Sequence, residues 1–140
     1  MTSRMNASTR RLVLVVIIGG VVGTFLRIEL THLLHPTSDG FDLGIFAANL
    51  AGAGLLGGVI SIIDHHPPTR AGEFRALVGT GICGGLTTFS TLCAGFVLLI
   101  RNGQFGVSFT YLLSSVGFGF LAFVGIYALV RIYLLRQEAN

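Results

Sequence analysis

The chain has 140 residues, of which 52% are hydrophobic and 11% charged, and its formal net charge is +3. A mean hydropathy of +0.81 lies far outside the range of a soluble globular domain of this size. These values exclude an ordinary soluble protein, and the length has room for one domain.

Four apolar stretches are each long enough to cross a bilayer, which takes about 20 residues. They predict one membrane domain over residues 12–134, with spans at 12–33, 43–63, 74–100 and 107–134. Residues 1–11 and 135–140 are predicted polar tails. A secretory signal is the alternative for the first stretch, but no small-residue cleavage site follows it. We predict an all-α integral membrane protein with four transmembrane helices.

Arginine is the only basic residue besides histidine, and its distribution predicts the orientation. An even number of spans puts both termini on one side of the membrane. Seven of the nine arginines fall on that side or in the loop that shares it: Arg4, Arg10, Arg11, Arg70, Arg75, Arg131 and Arg136. Because positive residues stay in the cytoplasm, both termini are predicted to be cytoplasmic.

Few polar side chains lie at membrane depth, where each is a functional candidate by default. Asn49 of the second span offers amide donors and an acceptor. Arg27, near the far end of the first helix, is predicted to be structural. The histidines, two of them adjacent, fit solvated loops better than a metal site. No catalytic triad or phosphate-binding loop is found, so no enzymatic activity is predicted.

The stretch "CGGLTTFSTLC", residues 83–93, predicts a break in the third helix. Gly84 and Gly85 weaken a helix, and the following threonine and serine hydroxyls compete for backbone hydrogen bonds. Freed carbonyls at such a break can hold a small cation, while half-helix N-termini and hydroxyls favour an anion. The electropositive edge of Phe89 can also contact an anion. The residues therefore indicate an ion pathway at a broken helix, and a kinked packing helix is the alternative.

Glycines recur at four-residue spacing in three spans, as in Gly19 with Gly23, Gly54 with Gly58, and Gly81 with Gly85. Such spacing lets helix backbones approach closely within a membrane. Four helices packed this closely enclose little space, so an oligomer is expected.

Three segments in chain order carry a family resemblance: "GGVVGTFLR", "GIFAANLAGAGLLG" and "GTGICGGLTTFSTL". Together they resemble the Fluc (CrcB) fluoride channels over nearly the whole chain. The resemblance implies an antiparallel dimer that exports toxic cytoplasmic fluoride passively through two narrow pores in the cell membrane. It also implies a structural sodium ion at the dimer centre, held by backbone carbonyls that map onto Gly84 and Thr87.

The same resemblance implies the pore residues. Asn49 matches the in-membrane asparagine and Phe89 the first pore phenylalanine, with Thr88 and Ser90 as hydroxyl neighbours. A hydroxyl track on the fourth helix is expected to begin at Tyr111 and to continue at Ser115. Arg27 matches the arginine that closes the first segment.

The chain departs from the family pattern at several positions. Leu92 replaces the second phenylalanine and Gly95 a glutamate, while Gly119 and Phe123 stand where the hydroxyl track continues, and Ile45 where threonine is common. The arginine bias also disfavours insertion in both orientations. The hypothesis is therefore one subunit of a heterodimer with a paralogue of opposite orientation, although a homodimer is possible.

Two other functions stay open at this stage. A small four-helix drug exporter coupled to protons would need a carboxylate deep in the first helix, and Glu29 lies near the helix end instead. A non-conducting accessory subunit of a channel heterodimer is compatible with Leu92 and Gly119.

Overall fold

The computed structural model describes residues 6–65 and 67–138, and every regular element within these ranges is helical. The first, second and fourth spans are single helices: α1 (Ala7–Leu33), α2 (Leu43–His65) and α6 (Phe105–Glu138). The third span, Ala71–Arg101, is composite. It consists of α3 (Ala71–Phe74), a π-helical segment called π1 (Arg75–Cys83), α4 (Gly84–Leu86) and α5 (Phe89–Arg101). The prediction of four membrane-spanning helices is confirmed.

The helices extend beyond the predicted apolar spans. α1 begins at Ala7, inside the segment 1–11 that the sequence assigned to a tail, and α6 continues to Glu138. Long arginine side chains at the helix ends reach from an apolar surface into the headgroup region, so helical structure can continue past the hydrocarbon. Residues 1–5, His66 and residues 139–140 lie outside the described residues.

The third span is broken near its middle, as predicted. Thr87 (φ −80°, ψ 151°) and Thr88 (φ −149°, ψ 115°) have extended backbone between α4 and α5. The last turn before the break is closed by Thr87, whose amide and hydroxyl both donate to the carbonyl of Cys83 at 2.9 Å. The side chain of the threonine thus ends the helix by hydrogen-bonding to it.

The π-helical segment before the break has wide turns that hydrogen-bond five residues back, and the sequence reasoning did not predict it. It packs directly on α1 through glycines. A Cβ added to Gly81 would lie 2.8 Å from the Cα of Gly19, so the two backbones are in contact. The carbonyls of Leu77 and Ile82 lie against Gly19 and Gly23 in the same way. Any side chain on α1 at these glycines would force the third span away.

The second and fourth spans, α2 and α6, also share an extensive contact. At its centre Gly57 lies against the backbone of Phe123, where an added Cβ would be 3.0 Å from the carbonyl carbon. Gly54 and Gly58 lie on the same contact, each within 3.4 Å of Ile126 by the same measure. The four-residue glycine spacing therefore serves close helix packing, which a membrane does not drive by hydrophobicity.

A small apolar core lies at the end of the bundle away from the termini. Leu92 and Leu99 of α5 pack against Tyr111 of α6, and all three are buried. The Phe41 ring, from the loop before α2, meets the Tyr111 ring edge-on, with centroids 4.8 Å apart and planes at 72°. This core fixes the second half of the third span against the start of α6.

Candidate functional site

The break in the third span is held by Asn49 of α2. Its Oδ1 accepts a hydrogen bond from the Thr88 amide at 2.7 Å, and its Nδ2 donates to the Thr88 carbonyl at 3.3 Å. The side-chain amide of Asn49 thus bonds to both the N–H and the C=O of Thr88, as the backbone of a neighbouring β-strand would. Extended backbone at membrane depth needs such a partner, because lipid offers none. Asn49 replaces hydrogen bonds that the backbone of Thr88 would make in an unbroken helix.

A cluster of hydroxyls begins the second half of the span. Thr88 is the N-cap of α5, and its Oγ1 accepts from the Thr91 amide at 3.2 Å. The same oxygen lies 3.0 Å from Thr91 Oγ1 and 3.2 Å from Ser90 Oγ. Thr88 is buried, whereas Ser90 and Thr91 are exposed on the chain surface. The hydroxyls thus lie at the positive end of the α5 dipole, where an anion is favoured.

Two carbonyls at the break fit a small hard cation, which prefers oxygen ligands. In an unbroken helix the Thr88 amide would pair with the Gly84 carbonyl, but it donates to Asn49 instead. The Thr87 carbonyl accepts from Arg27 Nη1 at 3.3 Å, and a carbonyl oxygen has a second lone pair. Two oxygens from one chain are an incomplete shell. Among the described residues, no three His, Cys, Asp or Glu side chains form a metal cluster.

One face of the break is open. Phe89 is 70% exposed, and a Cβ added to Gly84 would meet no atom within 4 Å. Ser90 and Thr91 share this exposure. Most of the Phe89 side chain is therefore not covered by the described residues of its own chain.

The predicted hydroxyls of the fourth span are buried and have no hydrogen-bond partner within the described structure. Tyr111 is 1% exposed and Ser115 6%, and both hydroxyl groups are unpaired. They lie four residues apart and therefore on one face of α6. The neighbouring Ser114 differs, because its hydroxyl donates to the Tyr111 carbonyl at 3.3 Å. A buried hydroxyl without a partner costs free energy, so a water or a ligand that hydrogen-bonded to these two hydroxyls would be stabilised there.

Two of the departures from the family pattern, Leu92 and Gly95, lie beside Tyr111. Leu92 is 3% exposed and packs on the Tyr111 side chain. A Cβ added to Gly95 would lie 3.1 Å from Tyr111 Cε1, so the phenol ring occupies the space that a side chain at position 95 would need. Gly119, further along α6, has open space around it.

Sequence reasoning missed two buried serines. Ser108 is fully buried, and its hydroxyl donates to the Phe96 carbonyl at 2.9 Å, which joins α6 to α5. Ser61 of α2 is 1% exposed and its hydroxyl has no partner among the described residues. The signal for both is a lone serine inside an apolar helical run.

These features define a membrane protein that keeps non-helical backbone at bilayer depth, which is tolerated only within protein or beside a hydrated cavity. A family model described as "CrcB-like protein, Camphor Resistance (CrcB)" matches residues 14–126. The chain belongs to the CrcB family.

Alignments with three named relatives cover most of this chain and most of each relative. "Fluoride-specific ion channel FluC 1" of Cutibacterium acnes is 36% identical over 143 aligned residues, with 99% of this chain and 100% of the relative covered. "Fluoride-specific ion channel FluC" of Pectobacterium atrosepticum is 37% identical, with 84% and 91% covered. The protein of the same name from Escherichia coli O139:H28 is 38% identical, with 81% and 91% covered.

Proposed function

We propose that this chain is a subunit of a fluoride-selective channel, not an enzyme, and that it lets cytoplasmic fluoride leave the cell by passive diffusion. The observation that carries the proposal is the pair of buried, unpartnered hydroxyls of Tyr111 and Ser115 on one face of α6. Fluoride loses its water shell on entering a narrow pore and needs hydrogen-bond donors in return. Unused donors at membrane depth offer that replacement.

The relatives support the same function. Three bacterial proteins at 36–38% identity carry the name fluoride-specific ion channel. The broken third span with its capped α5 adds a helix N-terminus and a hydroxyl cluster at membrane depth, both suited to an anion. The drug exporter is disfavoured, since Glu29 is exposed near the end of α1.

We further propose that the channel is an antiparallel dimer with a sodium ion at its centre. The open face with Phe89 and Gly84 is where a second subunit would lie, because an exposed ring and an uncovered glycine there flank the break. The carbonyls of Gly84 and Thr87, with the same pair from the partner, would make four oxygen ligands for sodium. Arg27 would orient the Thr87 carbonyl.

The pore assignment is tested with adjacent serines. Ser115→Ala removes an unpartnered hydroxyl, while Ser114→Ala removes one already bonded to its own helix. Fluoride efflux from proteoliposomes, measured with a fluoride electrode, should fall at least tenfold for the first variant and stay near wild type for the second. Equal fluxes in wild type and both variants would refute a pore along this face.

The arginine distribution favours a heterodimer in the cell membrane. Arg27 donates to the break and marks neither face. Six other arginines among the described residues belong to the end that carries the termini: Arg10, Arg11, Arg70, Arg75, Arg131 and Arg136. Only Arg101 remains at the opposite end of the described chain. This imbalance favours one orientation, with cytoplasmic termini, and an antiparallel dimer then requires a paralogue of opposite orientation.

The partner is tested by reconstituting the purified chain alone and with a paralogue of opposite arginine bias. Flux only from the mixture would establish that conduction requires a heterodimer. Equal flux from the chain alone would show that it forms homodimers. Assembly with a conducting paralogue, with flux unaffected by Ser115→Ala, would instead make this chain a non-conducting accessory subunit.

A further inference from the structure

A polar recess of about 270 Å³ lies between α2 and α6. Its lining includes one arginine and one aspartate, and comprises Ser61, Asp64, His65, Tyr127 and Arg131. The recess lies at the end of the bundle that carries the termini, because His65 Nε2 is 3.4 Å from a carboxylate oxygen of Glu138 near the end of α6. Since Asp64 and His65 are the last residues of α2, the recess lies where the second span passes from the hydrocarbon into the headgroup region.

The recess is separate from the hydroxyls assigned to the pore. Tyr127 comes sixteen positions after Tyr111 on α6, and Arg131 sixteen positions after Ser115. Because each residue turns an α-helix by about 100°, the members of each pair lie roughly 160° apart around the helix. Tyr127 and Arg131 therefore lie on the other side of α6 from the pore hydroxyls, and the recess has a role of its own.

Two hydrogen bonds place opposite charges near each other in the recess. Arg131 Nη1 donates to the Tyr127 hydroxyl at 3.3 Å, and this hydroxyl donates to Asp64 Oδ2 at 3.3 Å. The tyrosine hydroxyl thus lies between the guanidinium and the carboxylate. Arg131 has further N–H groups, and Asp64 further lone pairs, that these two bonds do not use. The recess therefore offers a cationic donor and an anionic acceptor a short distance apart.

Ser61 adds a buried hydroxyl to the recess. The residue is 1% exposed, and its Oγ has no hydrogen-bond partner among the described residues. A hydroxyl buried without a partner costs free energy, which a polar atom of a ligand would recover. The recess is polar and large enough for several waters or for a polar group of similar size.

An exposed apolar stripe on α6 leads from the recess toward the middle of the membrane. Phe120, Val124, Tyr127 and Arg131 follow one another at steps of four, three and four residues, so they lie on one face of α6. Phe120 is 67% exposed and Val124 43%. A molecule with a polar group in the recess could therefore lay a hydrocarbon chain along this stripe, and the bilayer is made of such molecules.

We propose that the recess binds the headgroup of a membrane phospholipid that carries both a phosphate and a primary ammonium group, as phosphatidylethanolamine does. Arg131 and the Ser61 hydroxyl donate to the phosphate, and the ammonium donates to Asp64. An acyl chain of the same lipid lies along Phe120 and Val124.

The lining favours this headgroup over two other common ones. A glycerol headgroup has a phosphate but no ammonium, and would leave the Asp64 carboxylate close to a negative charge without a cation between them. A choline headgroup has no N–H to donate, and proteins hold quaternary ammonium groups in cages of several aromatic rings. Tyr127 is the only aromatic residue among the described residues of the lining.

The test measures bound lipid by native mass spectrometry. The full-length chain, purified in detergent, is exposed in turn to phosphatidylethanolamine, phosphatidylcholine and phosphatidylglycerol with identical acyl chains. Wild type should retain the ethanolamine lipid roughly tenfold better than either of the others, about the effect of one hydrogen bond to a charged group. Asp64→Asn should remove this preference, and Arg131→Gln should weaken retention of the ethanolamine lipid by a similar factor. Arg136→Gln is the matched control, since Arg136 lies near the same end of α6 but outside the lining, and should behave as wild type.

Ser61→Ala gives a second readout, the melting temperature. In detergent alone, removal of an unpartnered hydroxyl should leave the melting temperature unchanged or slightly higher. The rise in melting temperature that the ethanolamine lipid gives to wild type should be smaller in this variant.

Equal retention of the three lipids by wild type would overturn the proposal, as would a preference that survives both Asp64→Asn and Arg131→Gln. A preference for phosphatidylglycerol would also overturn it, since the recess would then bind an anionic headgroup. Displacement of the lipid by an equal concentration of free phosphoethanolamine would do the same, because the ligand would then be a soluble molecule.

Discussion

Replacement of Asn49 by alanine should destabilise the break and stop conduction. The variant loses the 2.7 Å bond from the Thr88 amide and the 3.3 Å bond to the Thr88 carbonyl. An unpaired buried donor costs about 1–3 kcal/mol, and the carbonyl adds a smaller amount because its bond is long. Asn49 is only partly buried, so water can reach some of the space. We expect a loss of about 2–3 kcal/mol in unfolding free energy.

The assay is thermal unfolding of the detergent-solubilised protein, followed by loss of the monodisperse gel-filtration peak, with fluoride efflux measured in parallel. Asn102→Ala is the matched control, since Asn102 is exposed in the turn after α5. Asn49→Ala should unfold several degrees below wild type and the control, and its flux should be lost. Identical melting temperatures for the two variants would show that the amide pair does not hold the break.

Two further substitutions test the packing and the cap. The methyl group of Gly57→Ala would collide with the Phe123 carbonyl of α6, so this variant should lower the melting temperature strongly. The methyl group of Gly125→Ala would meet open space, so this variant should be neutral or slightly stabilising. A harmless Gly57→Ala would contradict the close approach of α2 and α6. Thr88→Val removes the cap on the Thr91 amide and should cost about 1 kcal/mol. Thr110→Val, on an exposed position of α6, should leave thermal stability unchanged, and equal melting of the two valine variants would exclude the cap.

Most of the fold follows from sequence because a bilayer leaves few choices. Lengths of apolar sequence predict the four spans, and paired glycines with hydroxyls predict the break at Thr87 and Thr88. The helix bounds were less predictable, since α1 and α6 continue past the hydrocarbon on residues with no apolar pattern. π1 was missed because its composition resembles that of an ordinary helix, and its wide turns accompany contact with Gly19 and Gly23 of α1.

The candidate site was predictable only as a set of residue types. Asn49 is evident as a polar group in an apolar span, but its pairing with both backbone groups of Thr88 depends on how α2 and the break are aligned. Arg27 could be counted as a charge near a helix end, and its bond to the Thr87 carbonyl required the packing of α1 on the third span. Ser61 and Tyr127 line one polar recess, although 66 positions separate them in the sequence, so sequence alone could not pair them.

Two departures from the family pattern amount to one change in packing. Without a side chain at Gly95, the Tyr111 ring has room beside α5, and Leu92 closes over it in the buried core. The ring is pinned from the other side by Phe41. A glutamate introduced at position 95 alone would therefore collide with Tyr111 and would not recreate the family arrangement. The absence of a side chain at position 95 and the leucine at position 92 therefore act together, because both set how the Tyr111 ring packs against α5.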